Sequence, residues 1–241
     1  MESFARKKKI TSPVAVLLLV VLTLLLVGCA GAEESAAETP TQAVTIRPEV
    51  VVPTQAVSEF PMMMESGKLT LDNLFRYDGI NPDCQYEEGT DIGAIGIVNT
   101  SGDFLVEARI CAELSDGTQA NFLVTNLPAG KSAMAFAVDN AALGAEVSCE
   151  DLTCEAIWLQ EAPMPESVTA VSDGMLITLT NNTDQNISEL IIYCRCPFDA
   201  AYYGGIAYEY TVNDIPAHGQ ATVEALDCIL GMAEAVRIAV K

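Results

Sequence analysis

A chain of 241 residues with 33 acidic and 12 basic residues carries a net charge of −21 at pH 7. Such a surface repels nucleic acid and anionic lipid headgroups, which excludes both as electrostatic partners. Half of the residues are apolar, enough to fill more than one core.

The first element is a targeting segment. Arg6, Lys7, Lys8 and Lys9 form a charged start, and Val14 to Val27 follow with Thr23 as their only polar member. As a helix this run spans about 21 Å, short of the roughly 30 Å hydrocarbon core. A retained transmembrane helix is the alternative, but a short apolar run ending in small residues favours a cleaved signal. Leu26-Val27-Gly28-Cys29 closes the run. This string resembles the lipobox of bacterial lipoproteins. The resemblance implies cleavage after Gly28 and a diacylglyceryl thioether on Cys29, which anchors the chain at the cell membrane on its extracytoplasmic side. Residues 1–28 are thus expected to be a signal peptide. Without them eight basic residues face 32 acidic ones.

Residues 29–66 are expected to be a disordered tether. They carry Pro40, Pro48, Pro53 and Pro61 and six glutamates, and no helical or strand period persists. A flexible coil of this length averages about 35 Å end to end. Met62-Met63-Met64 at its end is read as a first strand or a packing contact rather than a metal site, which would need spaced methionines.

From Gly67 onward the pattern is all-β. Phe104, Val106, Ala108, Ile110, Ala112 and Leu114 alternate with Leu105, Glu107, Arg109, Cys111 and Glu113, the period of a half-buried strand. Ser115-Asp116-Gly117-Thr118 supplies a hairpin turn, and Asn121 to Thr125 returns. Ile206, Tyr208, Tyr210 and Val212 alternate in the same way. Only Ala141 to Asp151 has room for a turn or two of helix.

The pattern repeats. Asn99-Thr100-Ser101 precedes one strand and Asn182-Thr183-Asp184 another, with Cys111 and Cys194 twelve residues after Asn99 and Asn182. Leu127-Pro128-Ala129-Gly130-Lys131 has a counterpart in Ile215-Pro216-Ala217-His218-Gly219. The offset grows from 83 to 88 residues, which predicts a longer hairpin in the second copy. Ala156 to Leu159 and Val236 to Ala239 are the expected last strands. Two tandem domains follow, 67–162 and 163–241, and short strands with regular turn signals favour β-sandwiches. These Asn-Thr/Ser and Pro-x-Gly turns resemble those of Ig-like modules, including the FxLYD type, in uncharacterised lipoproteins of Gram-positive bacteria. Neither copy contains an F-x-L-Y-D string. The resemblance implies adhesive, spacer or ligand-binding modules with no reaction to carry over.

Seven further cysteines lie at 84, 111, 149, 154, 194, 196 and 228. An odd count leaves at least one thiol unpaired or paired between chains; Cys149 and Cys154, flanking a short acidic segment, are the expected local disulfide, with several cysteines as buried reduced thiols the equal alternative. Cys194 and Cys196 share a strand face at the edge of disulfide reach, so separate partners are expected. A single histidine and no C-x-x-C argue against zinc. Asp83, Glu87, Glu88 and Asp91 form the densest acidic patch, read as a solvated loop rather than a metal site. His218 lies in a turn, and no G-x-S-x-G, H-E-x-x-H, S-x-x-K or phosphate loop is present. No catalytic residue, metal or cofactor is expected, and the chain is read as a non-enzyme.

Tyr202, Tyr203, Tyr208 and Tyr210 cluster around Gly204-Gly205. Their flat faces and polar tips suit a glycan or protein partner. The plainer reading is a Tyr-rich strand pair with Tyr208 and Tyr210 packed inward. The function expected is that of a lipid-anchored binding, adhesion or spacer protein. The alternatives are a carbohydrate-binding module using these tyrosines, or an accessory subunit of a wall enzyme.

Overall fold

The computed structural model describes residues 60–83, 88–197, 202–228 and 231–241. Cys29, the targeting segment, most of the tether, Cys84 and Glu87 lie outside the described residues. The chain runs through β1 (Met62–Met64), β2 (Leu69–Ile80), β3 (Glu88–Asn99), β4 (Phe104–Leu114), β5 (Gln119–Leu127), β6 (Ser132–Phe136) and β7 (Cys149–Leu159). It continues through β8 (Val168–Asp173), β9 (Leu176–Asn181), β10 (Ile187–Arg195), β11 (Tyr202–Gly204), β12 (Tyr208–Ile215), β13 (Gln220–Glu224) and β14 (Glu234–Val240). Among the described residues the only helical pieces are single 3-10 turns at Glu65–Gly67 and Val138–Asn140. The turn falls just before the stretch 141–151 and not within it.

The architecture is all-β, with four sheets in the orders β1-β2-β3-β6-β11, β5-β4-β7, β13-β9-β8 and β12-β10-β14. The first two sheets close over one core, built from Leu69, Leu71, Ile95, Ile97, Ile110, Phe122 and Val124 among others. The other two close over a second core around Ile177, Leu179, Leu190, Ile192 and Ile238. All described residues belong to one compact unit. The period-two reading of Phe104 to Leu114 holds: Ala108, Ile110, Ala112 and Leu114 are buried while Arg109 and Glu113 are exposed. Its start deviates, because a bulge between Leu105 and Glu107 turns Leu105 inward. Met62–Met64, within the span read as tether, already pairs with β2.

The two copies share their connectivity. Sheet β2-β3-β6 corresponds to β8-β9-β13, and β5-β4-β7 to β12-β10-β14. Asn99 and Asn181 close the equivalent strands β3 and β9, and both are fully buried. Asn99 Nδ2 donates to the carbonyls of Asp103 and Leu127, while its Oδ1 accepts from Ser101 N–H and Oγ. Asn181 Nδ2 donates to Gln185, Ile215 and Pro216, while its Oδ1 accepts from Thr183 N–H and Oγ1. Each side chain ties the turn that starts one strand to the end of its hairpin partner, where only an amide offers donors and acceptor together. A left-handed residue recurs just before the hairpin partner ends, at Asn126 (φ 51°) and Asp214 (φ 55°). Another recurs in the following turn, at Gly130 (φ 69°) and His218 (φ 55°).

These bonds correct the internal alignment by one residue: Asn99 matches Asn181, not Asn182. The slip matters because one position reverses the face of a strand. Cys111 points outward with Arg109 and Glu113, whereas Cys194 is buried in the second core. The two cysteines are not equivalent.

Replacing Asn99 or Asn181 by Ala strands at least two carbonyl acceptors that the fold has shielded from water. Each variant is expected to lose about 2–4 kcal/mol in urea denaturation. Unchanged midpoints would show that the repeat does not rest on these amides.

Candidate functional site

The extended hairpin of the second copy builds the most elaborate polar site. Where the first copy turns with Ser115 to Thr118, the second makes an excursion between β10 and β12. It carries β11 away from its own core and adds it in parallel to β6, with Tyr202 opposite Ser132 and Gly204 opposite Met134. The four tyrosines are divided accordingly. Tyr203 is buried in the first core and Tyr202 packs against it, while Tyr208 and Tyr210 pack against the second. Their polar tips are engaged as well: Tyr203 with Glu234, Tyr208 with the Pro82 carbonyl, and Tyr210 with Asp227. The plainer expectation holds for Tyr208 and Tyr210, which pack inward, but the four rings do not share one strand pair, because β11 and β12 diverge toward different cores.

Gly204 and Gly205 lie at the centre of this junction. Arg195, at the end of β10, is fully buried and sends Nη2 to the carbonyls of Gly204 and Gly205 and Nη1 to that of Thr125. On the opposite side of the same peptides, Asp83 accepts from Gly205 N–H at 2.8 Å and Ile206 N–H at 3.2 Å. Both peptide units flanking Gly205 thus lie between a cation at their oxygens and a carboxylate at their amides. Thr125 adds its N–H to the Gly205 carbonyl at 3.1 Å and takes Ala207 N–H on Oγ1 at 2.8 Å. Farther along, Arg237 of β14 donates to Asn126 at 3.2 Å. The Tyr203 ring centroid is 5.3 Å from the Arg195 guanidinium and 5.7 Å from Lys131 Nζ.

Burial sets the electrostatics. Desolvation lowers Arg195 to about 10, against the pull of Asp83. Desolvation likewise raises Asp83 to about 6, outweighing the Ile206 and Gly205 amides and Arg195. Arg195 Nε has no hydrogen-bond partner among the described residues. Gly205 permits the close approach: a Cβ there would come within 2.5 Å of Asp83 Oδ2 and 2.9 Å of the Ala135 backbone.

A groove of about 610 Å³ lies on the outer face of β5-β4-β7. Arg109 and Cys111, Asn121 and Leu123, Thr153 and Glu155 come from its three strands, with Val138 also lining it. Cys111 is a free, partly exposed thiol there. The expected Cys149–Cys154 bridge is not formed: both thiols are free and lie five positions apart on the extended strand β7, out of disulfide reach. Instead Cys196 pairs with Cys228, Cα atoms 5.2 Å apart, and ties the end of β10 to the loop before β14. Cys194 is buried, and desolvation pushes its thiol up to about 12. The His218 ring meets the exposed Asp184 at 2.8 Å. Among the described residues no group of three or more His, Cys, Asp or Glu could hold a metal ion.

Asp83, expected in a solvated acidic loop, is instead turned inward onto the Gly205 and Ile206 amides, and nothing in the sequence marks Thr125 or Arg195 as its neighbours. Arg195 alone left a trace, as a lone cation closing the run Ile191-Ile192-Tyr193-Cys194. In comparisons with known proteins, the chain matches no family model and no curated protein.

Gly205→Ala is expected to cost about 1–3 kcal/mol in urea denaturation, since both the carboxylate and the Ala135 backbone must yield. A neutral result would mean that the joint has slack. In the folded protein, iodoacetamide followed by peptide mapping should label Cys111 well before Cys149 and Cys194. Equal labelling would contradict the burial of those two thiols.

Proposed function

We propose that the chain is a lipid-anchored cell-envelope protein in which an acylated Cys29 and an acidic tether present two immunoglobulin-like modules. These act together as a binding or spacer unit on the extracytoplasmic side of the membrane. The observation that carries this reading is the repeated connectivity. Two copies of one six-strand arrangement, each closed around a buried asparagine, are joined through a strand lent by the second copy to the first. A joint built from backbone bonds and a buried cation suits a body that must hold a fixed geometry away from a membrane. It leaves the outer groove lined by Arg109, Cys111, Asn121 and Glu155 facing solvent for a protein or glycan partner. The tyrosines are committed to packing and to internal bonds, which disfavours a carbohydrate site built on them.

The anchor is tested in cells fed labelled palmitate. The wild-type chain should take up label and fractionate with membranes, and Cys29→Ala should lose the label. Equal incorporation in both would refute acylation at Cys29.

A further inference from the structure

The first copy leaves a flank open where the second is closed. β7 ends its sheet, and with 11 residues it is the longest strand in such a position. Its equivalent β14 has an occupied outer side: Ile238 N–H donates to the Pro163 carbonyl at 2.9 Å, and the strand runs beside β8. On β5, the opposite edge of the β7 sheet, Phe122 meets Ala137 and Thr125 N–H donates to Gly205. Among the described residues, no backbone bond from an element other than β4 reaches β7. We propose that this edge takes an extended, cationic segment of a partner protein as an added strand.

The strand is built to accept one. Its register with β4 is unbroken from Asp151 to Ile157, and it contains no proline. A bulge or a proline there would blunt the edge. On the inner side, Cys154, Ala156 and Trp158 are only half-buried against the first core, whereas Ala108 and Ile110 on β4 are sealed. Lys68 Nζ lies 4.9 Å from the centre of the Trp158 ring, which sets the start of β2 across from this strand. Met62 and Met64, just before it, are half-buried against the same core. An added strand lays every second side chain over such apolar groups and takes them out of water. On the outer side Asp151, Thr153, Glu155 and Ile157 are exposed, with Glu150 beside them.

Charge selects the occupant. Among the described residues no ion pair engages Glu150, Asp151 or Glu155. Arg109, opposite Glu155 on β4, is bonded to Glu107 at 2.6 Å, and Lys68 to Asp103 at 2.7 Å. A second copy would bring its own acids to this edge on a chain of net charge −21, and like charges facing across strands destabilise a pair. A segment in which Lys or Arg alternates with aliphatic residues satisfies both faces at once. Its cations lie beside Asp151 and Glu155, and its apolar side chains cover Ala156 and Trp158. Backbone bonds to β7 supply affinity, and the alternation supplies specificity. The proposal rests on the binding part of the reading above and is independent of the acylated anchor.

The test is hydrogen exchange with mass spectrometry on the full chain in a neutral detergent at physiological salt. Three peptides of about ten residues and equal charge are compared. One alternates lysine with valine, one holds the same residues in two blocks, and one is the alternating sequence with its backbone amides N-methylated. Only the first should slow exchange in fragments covering 149–159. Asp151→Lys combined with Glu155→Lys should weaken its binding about tenfold. Equal protection by the blocked or methylated peptide, protection confined to another strand, no protection at millimolar peptide, or unchanged binding in the double variant would overturn the proposal. None of these outcomes bears on the palmitate result. Should the double variant not fold, the three peptides on the wild type decide.

Discussion

A guanidinium buried without an exposed edge is costly, and the organisation of this protein follows from how that cost is met. Arg195 gains three backbone carbonyls, and Asp83 balances its charge across the peptides of Gly205. Removing an ion from water costs several kcal/mol, recovered only where geometry supplies charge-assisted bonds. The acceptors come from both copies, Thr125 from one and Gly204-Gly205 from the other. Neither copy could bury this arginine alone. The excursion between β10 and β12 is thereby bound to the sheet of its neighbour, and an array of two similar bodies becomes a single cooperative contact.

The same constraint accounts for the asymmetry of the copies. In the first, the hairpin after β4 closes in a tight Asp-Gly turn, with Thr118 N–H on Asp116 Oδ1. In the second, the corresponding hairpin opens into residues 196–207, stapled at its base by the Cys196–Cys228 disulfide. A crosslink closing a span of 32 residues stabilises a domain by about 3–4 kcal/mol. It stands beside the segment that must leave its own core and dock elsewhere.

Much of this was legible from residues alone, and the failures have physical causes. The long strands were readable because one face is buried, so apolar residues return every second position, as in Ala108 to Leu114. The repeat was readable because its turns need particular side chains, and its lengthened hairpin showed in the growing offset. The offset itself was wrong by one residue, because Asn181-Asn182 presents two asparagines and only burial separates the structural amide from its neighbour. Cys149 and Cys154 are close in sequence but not in space, because the extended strand they share holds them apart. The inward packing of Tyr208 and Tyr210 was legible, but the split of the tyrosines between two cores and the partners of Asp83 and Thr125 were not. A three-residue strand such as Tyr202–Gly204 carries no local mark of the sheet it joins, and its partners lie far away in the chain.

The parallel pairing of β11 with β6 has a consequence for assembly. A polypeptide grows from its amino end, and the edge strand that completes the first sheet emerges only after β7 to β10 have been made. Until then β6 displays unpaired amides and carbonyls along one side, the kind of template on which nascent chains cross-associate. The acidic composition of the surrounding chain opposes such encounters by mutual repulsion. The first sheet is therefore complete only once the carboxy-terminal half has been made.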